Sequence, residues 1–181
     1  MLSALKKRKF TAFFKTFDED GNGFIEQSDI EAIVLNLTKI RKESVGSTTY
    51  NFLHTKYMAD WLGLLQATDT NGDGKISLEE WFVFHDLQLQ EATPYWRVGE
   101  KTSVQFLFEL IDLDGNGEIG ENEYALFLKA YNVKTDASTI FPKLDLNGDG
   151  HISLQEFVTI CEQFYTSDDE EARGNWLFGQ F

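Results

Sequence analysis

Four twelve-residue segments place oxygen-bearing side chains at alternate positions and close on an acid. The fourth shows the pattern most fully. Asp145, Asn147 and Asp149 stand at positions 1, 3 and 5, and Glu156 stands at position 12. His151 would offer its backbone carbonyl at position 7, and Ser153 stands at position 9, acting directly or through a water. Gly150 at position 6 permits a sharp turn that a Cβ would obstruct. Hard oxygen donors in this order, ending in a carboxylate that can give both oxygens, suit a divalent cation of the Ca²⁺ class.

The other three segments repeat it. The first has Asp18, Asp20, Asn22, the carbonyl of Phe24, and Asp29. The second has Asp69, Asn71, Asp73, the carbonyl of Lys75, and Glu80. The third has Asp112, Asp114, Asn116, the carbonyl of Glu118, and Glu123. Glycine recurs at position 6 and isoleucine at position 8, as Ile25, Ile76, Ile119 and Ile152. A β-branched residue there suits a short strand that pairs two loops back to back. One acidic, glycine-rich segment is an ordinary surface turn; four in register, flanked by apolar runs, match the calcium loop of the EF-hand. Three or four Ca²⁺ ions are expected. Asp29 replaces the longer glutamate at position 12 and reaches an ion less easily with both oxygens, so the 18–29 loop is expected to accept Mg²⁺ as well. Gly120 at position 9 of the third loop leaves that place to water.

The rest of the chain must hold these loops. Its 181 residues are 42% hydrophobic and 14% aromatic, enough for a real core. Net charge is −14, which argues against nucleic acid as a partner. Four divalent ions would offset more than half of that charge, so metal should stabilise the fold. Cys161 is the single cysteine, which excludes an internal disulfide and fits a reducing compartment and a place in the core. No apolar run reaches the length of a membrane span, and no apolar signal region follows Met1. These points predict a soluble, cytoplasmic protein, expected as a monomer.

Apolar residues recur at three and four positions before and after each loop. Residues 3–17 form the first helix, with Leu2, Leu5, Phe10, Phe13, Phe14 and Phe17 on its inner face. Lys6, Lys7, Arg8 and Lys9 read as a solvated face, with a membrane or partner patch as the alternative. A helix over 28–41 carries Ile30, Ile33, Val34 and Leu37; residues 43–49 connect it to a long helix bearing Tyr50, Phe52, Leu53, Tyr57, Trp61, Leu62, Leu64 and Leu65. The stretch 91–94 breaks the helix after Glu80, Thr93 and Pro94 start the next, and Gly99 could divide it. Asp136 can cap the fourth loop's leading helix, which Pro142 should shorten or kink. In the tail, 167–171 is acidic and reads as hydrated. The cluster Trp176, Leu177, Phe178 and Phe181 that follows would forgo about 1.5–3 kcal/mol per ring in water, so the tail is expected to fold back into a groove between lobes. The predicted architecture is all-α: four EF-hands in two paired lobes forming one compact globule, with short β pairing between loops. Its units are 1–92, 93–165 and the tail 166–181.

With four such loops, a long first half and this tail, the chain resembles the sarcoplasmic calcium-binding protein family over essentially its whole length. The junction Pro94-Tyr95-Trp96 and the stretch from Asp169 to Gly179 are similar to those of its calexcitin branch. The resemblance implies two EF-hand pairs, cytosolic Ca²⁺ and Mg²⁺ binding, and buffering or signalling. Family members often carry one degenerate loop, whereas all four here keep their ligands.

Three functions follow: a calcium buffer, a sensor that opens towards a protein target or a membrane surface, and a photoprotein-like enzyme or luciferin-binding protein. Sensors that adapt to many targets use methionine-rich grooves. This chain has 2 methionines and 16 phenylalanines, which favours a rigid, closed interior. His54, His85 and His151 are scattered and accompany no nucleophile, so no enzyme is expected.

Overall fold

Ser3 opens the first helix by accepting a hydrogen bond from the Lys6 amide, and α1 runs Ala4–Phe17 up to the first loop. The computed structural model describes residues 1–91 and 104–181. After the first loop come β1 (Phe24–Ile25) and α2 (Gln27–Ile40), then α3 (Thr48–Thr68), whose start Ser47 caps in the same way. The second loop gives β2 (Ile76–Ser77) and α4 (Leu78–Gln88). Beyond the undescribed residues follow α5 (Gln105–Ile111), β3 (Glu118–Ile119), α6 (Glu121–Ala130), α7 (Ala137–Leu144), β4 (Ile152–Ser153) and α8 (Leu154–Thr166). A 3₁₀ turn over Arg173–Trp176 begins the tail. Thr93, Pro94 and Gly99, and with them the boundary at 92–93 and the Pro94-Tyr95-Trp96 junction, lie outside the described residues. No helix among those described is long and apolar enough to cross a membrane.

Two antiparallel strand pairs tie the loops together. Ile25 faces Ile76 and Ile119 faces Ile152, and all four side chains are buried. Each pair therefore joins two loops through a dry contact that a polar residue at position 8 would lose.

Several contacts join the halves directly. The buried hydroxyls of Tyr57 and Tyr131 share a hydrogen bond of 2.5 Å. Asn36 donates to the Ala130 carbonyl, and Arg41 to that of Leu110. Beneath them lies one continuous aromatic core. Phe178 stacks on Phe13 with centroids 4.2 Å apart, meets Phe164 edge-on at 5.0 Å and lies 6.3 Å from Phe127. The tail thus places its ring among α1, α6 and α8.

Several details differ from the sequence reading. Phe52 and Leu62 are 59% and 62% exposed, because Leu53, Tyr57 and Trp61 already fill the buried stripe of α3. The basic run of α1 divides: Lys7 and Arg8 are exposed, as read, whereas Lys6 and Lys9 are buried. Lys9 is fully enclosed and donates to the carbonyls of Gln163 and Ser167 and to Asn175 Oδ1. Lys6 pairs with Asp168 and Arg8 with Glu170, so the acidic stretch is held against α1. His85 lies on an inner face of α4, enclosed and stacked on Phe10. Pro142 sits within α7, eight residues long, whose end still closes with the Asp145 amide on the Phe141 carbonyl.

Candidate metal centres

The four loops share one backbone solution. At position 6 the glycine amide donates to Oδ2 of the position-1 aspartate: Gly23 to Asp18 at 3.0 Å, Gly74 to Asp69 and Gly117 to Asp112 at 2.9 Å, Gly150 to Asp145 at 2.8 Å. These glycines have φ between 81° and 91°, the left-handed region in which a side chain is strained.

The position-12 acid stands in the first turn of the following helix and is anchored at both ends of its loop. One oxygen accepts the amide at position 9: Glu26 to Asp29 at 2.8 Å, Ser77 to Glu80 at 3.0 Å, Gly120 to Glu123 and Ser153 to Glu156 at 2.9 Å. The other oxygen accepts amides just after position 1, from Thr70, from Leu113, and from Leu146 and Asn147 at 2.7–3.1 Å. Asp29 takes the corresponding amides of Glu19 and Asp20 at 3.2 and 3.4 Å, and Glu123 also takes that of Asp114 at 3.3 Å. The hydroxyls of Ser77 and Ser153 add a bond each to Glu80 and Glu156.

These donors set the charge of each acid. The Ser77 amide, with the Ser77 hydroxyl and the Thr70 donors, holds Glu80 down at about 2 against its burial. Burial works against ionisation of Glu156 as well, but the Ser153, Asn147 and Leu146 donors outweigh it and its pKa is lowered. For Asp29 burial wins and its pKa is raised.

In loops one and three the acids converge. Carboxylate oxygens of Asp18, Asp20 and Asp29 lie within 4.8 Å of one another, and so do those of Asp112, Asp114 and Glu123. Three like charges so close repel unless a cation joins them. Asp18 Oδ1 is buried with no hydrogen-bond partner, an oxygen placed for a cation rather than a donor. The residues present therefore fit a hard divalent ion. In loops two and four the middle acid moves to position 5, as Asp73 and Asp149, and asparagine takes position 3. The Oδ1 atoms of Asn71 and Asn147 accept the amides of Asp73 and Asp149.

At position 7 the side chains turn outward, leaving the carbonyl for a ligand role. Lys75 Nζ bonds Glu26 at 2.8 Å and lies 5.4 Å from the Phe24 ring centroid, while His151 Nδ1 is 3.6 Å from Glu118 Oε2. Position-7 partners thus meet across each strand pair.

Two arginines near the loops carry no signal in the loop pattern. Arg41 donates to the Leu110 carbonyl just before loop three. Arg173 donates to the carbonyls of Pro142, Lys143, Asp145 and Leu146. Its lone basic charge after a run of acids, beside Gly174 and a set of rings, is the one sequence feature that could have marked it.

Comparisons with known proteins agree with this geometry. The family model for the EF-hand domain pair matches residues 7–80, 58–129 and 101–162. Sarcoplasmic calcium-binding protein 1 of Astacus leptodactylus is 26% identical over 171 residues, 90% of this chain and 89% of that protein. The sarcoplasmic calcium-binding protein of amphioxus shares the fold over the full length of both chains, with a TM-score of 0.77 at 21% identity. The coelenterazine-binding protein of Renilla muelleri, in its calcium-loaded apo form, matches 99% of this chain and 100% of its own, with a TM-score of 0.74 and 27% identity.

Proposed function

For a chain that belongs to the EF-hand proteins, and among them to the sarcoplasmic calcium-binding family, we propose a specific role: a cytoplasmic, monomeric calcium buffer that stays closed. Calcium binding itself follows from the family and from the acidic loops. The proposed ligands are the side chains at positions 1, 3, 5 and 12 with the carbonyls of Phe24, Lys75, Glu118 and His151. Four sites result, the one at 18–29 shared between Ca²⁺ and Mg²⁺. The proposed units are the pairs 1–92 and 93–165 and the tail 166–181. A bound ion supplies the positive charge that lets clustered carboxylates coexist. The chain supplies order: glycine turns, anchored position-12 acids and paired isoleucines hold the oxygens in place beforehand.

One observation carries the closed reading. Phe178 fills the groove between the halves that a sensor would offer its target. A rigid, ring-packed interior of this kind resists opening. The family's members are generally not enzymes, and burial keeps the enclosed His85 neutral with its pKa at about 3, unlike a general base. A second reading, a calexcitin-like sensor, draws support from the bonds between Arg173 and the start of loop four, which connect the plug to a candidate Ca²⁺ site.

A Ca²⁺ titration in about millimolar Mg²⁺, followed with an apolar dye, separates the two. The buffer binds Ca²⁺ with no rise in dye fluorescence. Fluorescence climbing with occupancy would overturn the buffer and establish the sensor.

A further inference from the structure

The last carbonyls of a helix have no partner within it. At the end of α7, where loop four begins, Arg173 takes that role. Its Nε donates to the Lys143 carbonyl at 2.6 Å, Nη1 to that of Leu146 at 3.1 Å, and Nη2 to those of Pro142, at 2.7 Å, and Asp145. Asp145 and Leu146 are the first two residues of the loop. One guanidinium therefore grips the final turn of the helix and the start of the loop together, a task that needs its planar fork of donors. The charge also faces the negative end of the helix dipole. Among the described residues, loop three receives a single bond of this kind, from Arg41 to Leu110, and that bond stops short of the loop itself.

Independent contacts fix Arg173 in place. A Cβ on Gly174 would lie 2.3 Å from the Ile160 carbonyl oxygen, so the tail backbone rests directly on α8. Asn175 accepts from the enclosed Lys9 of α1, and the Tyr124 hydroxyl of α6 donates to the Leu177 carbonyl at 3.0 Å. Phe178 fills the groove beyond. Docking of the tail thus fixes where Arg173 can hold loop four.

We propose that Arg173 is a positioning residue for the loop-four Ca²⁺ site, coupling the affinity of that site to docking of the tail. Asp145 carries the position-1 carboxylate, which the amides of Gly148 and Gly150 hold at 2.7 and 2.8 Å. With its backbone held as well, the first ligand is ordered before an ion arrives. Without the fork, that order must be established on binding, and affinity falls. Linkage is reciprocal: an ion in loop four tightens the tail by the same factor that the docked tail tightens the ion.

The test uses the full chain and two readouts. The amides of Gly23, Gly74, Gly117 and Gly150 report the four loops separately during a Ca²⁺ titration followed by NMR. Arg173→Gln and Arg173→Lys should both shift the Gly150 midpoint about tenfold to higher Ca²⁺ and leave Gly23 and Gly74 in place. Lysine keeps the charge but lacks the fork. A lysine variant indistinguishable from the unaltered chain, equal shifts at all four glycines, or no shift would each overturn the proposal. The reverse direction is read by trypsin cleavage after Arg173, followed as the mass of fragment 1–173. In saturating Ca²⁺, Glu156→Gln should speed that cleavage about tenfold and Glu80→Gln should not; equal behaviour of the two variants would overturn the coupling. The inference rests on the assignment of residues 145–156 as a Ca²⁺ site. A Gly150 amide that ignores Ca²⁺ in the unaltered chain overturns both, whereas a responsive Gly150 unmoved by Arg173→Gln overturns only the positioning role.

Discussion

Asp29 closes loop one and Glu156 closes loop four, and the two acids differ by a single methylene. Asp29 stretches to its amides at 3.2 and 3.4 Å, while Glu156 meets the corresponding donors at 3.0 and 3.1 Å and gains the Ser153 hydroxyl. Burial raises the pKa of the first; donors hold that of the second down. The surroundings differ as well. Loop one is touched at the Glu19 carbonyl by the neutral amide of Asn132, whereas loop four begins under the guanidinium of Arg173. Two copies of one twelve-residue pattern are thus set apart inside the loop by the length of the closing acid, the place of the middle acid and the residue at position 9, and outside it by distant chain.

The strongest way to break this contrast is to remove the tail's anchor. Phe178→Ala leaves a void among Phe13, Phe127 and Phe164 and should cost about 3–5 kcal/mol of stability in urea unfolding. If the tail supports loop four alone, the Gly150 midpoint moves with it and the Gly23 midpoint stays. Movement of both would place the support in the shared core.

Acid tests the core apart from the loops. The folded protein keeps His85 neutral to about pH 3, whereas the unfolded chain protonates it near its ordinary pKa of 6.5. Between those values the unfolded state binds more protons, so stability falls as pH falls, by about 1.4 kcal/mol per unit from this residue. His85→Leu should flatten the decline by that amount in urea midpoints at pH 6.5, 5.5 and 4.5. Parallel pH profiles for the two proteins would refute the assignment of the slope to His85.

The gentlest change sharpens the comparison from the other side. Asp29→Glu lengthens the loop-one acid to match Glu156 and should raise its preference for Ca²⁺ over Mg²⁺ about tenfold, read at the Gly23 amide in competition titrations. An unaltered preference would show that acid length does not decide which ion loop one takes.

What could be read in the sequence was local. Asp, Asn, Gly and Ile at fixed positions in twelve residues announce a loop because turn, ligands and strand all act within that span. The helices around them follow from their apolar spacing. The long helix α3 was harder: Tyr50, Phe52, Leu53, Tyr57, Trp61 and Leu62 surround it, so period alone could not leave Phe52 and Leu62 outside. Lys6 and Lys9 look like surface residues beside their neighbours, and only α8 and the tail make them interior. The role of Arg173 was hidden for the same reason, since its partners are the carbonyls of α7 and loop four, and only its lone charge beside the rings marked it.

The bond between Lys9 and Asn175 spans 166 positions of chain. Closing so long a loop is entropically expensive, and contacts of that range form after local ones. Each candidate site, by contrast, is made from twelve consecutive residues and can fill while the ends of the chain are still apart. Folding is then expected to begin with the loops and to end with the clasp between α1 and the tail, loop four reaching its full affinity only at that last step. In the interval Phe13 and Phe164 face water, and at that stage one molecule is most prone to adhere to another.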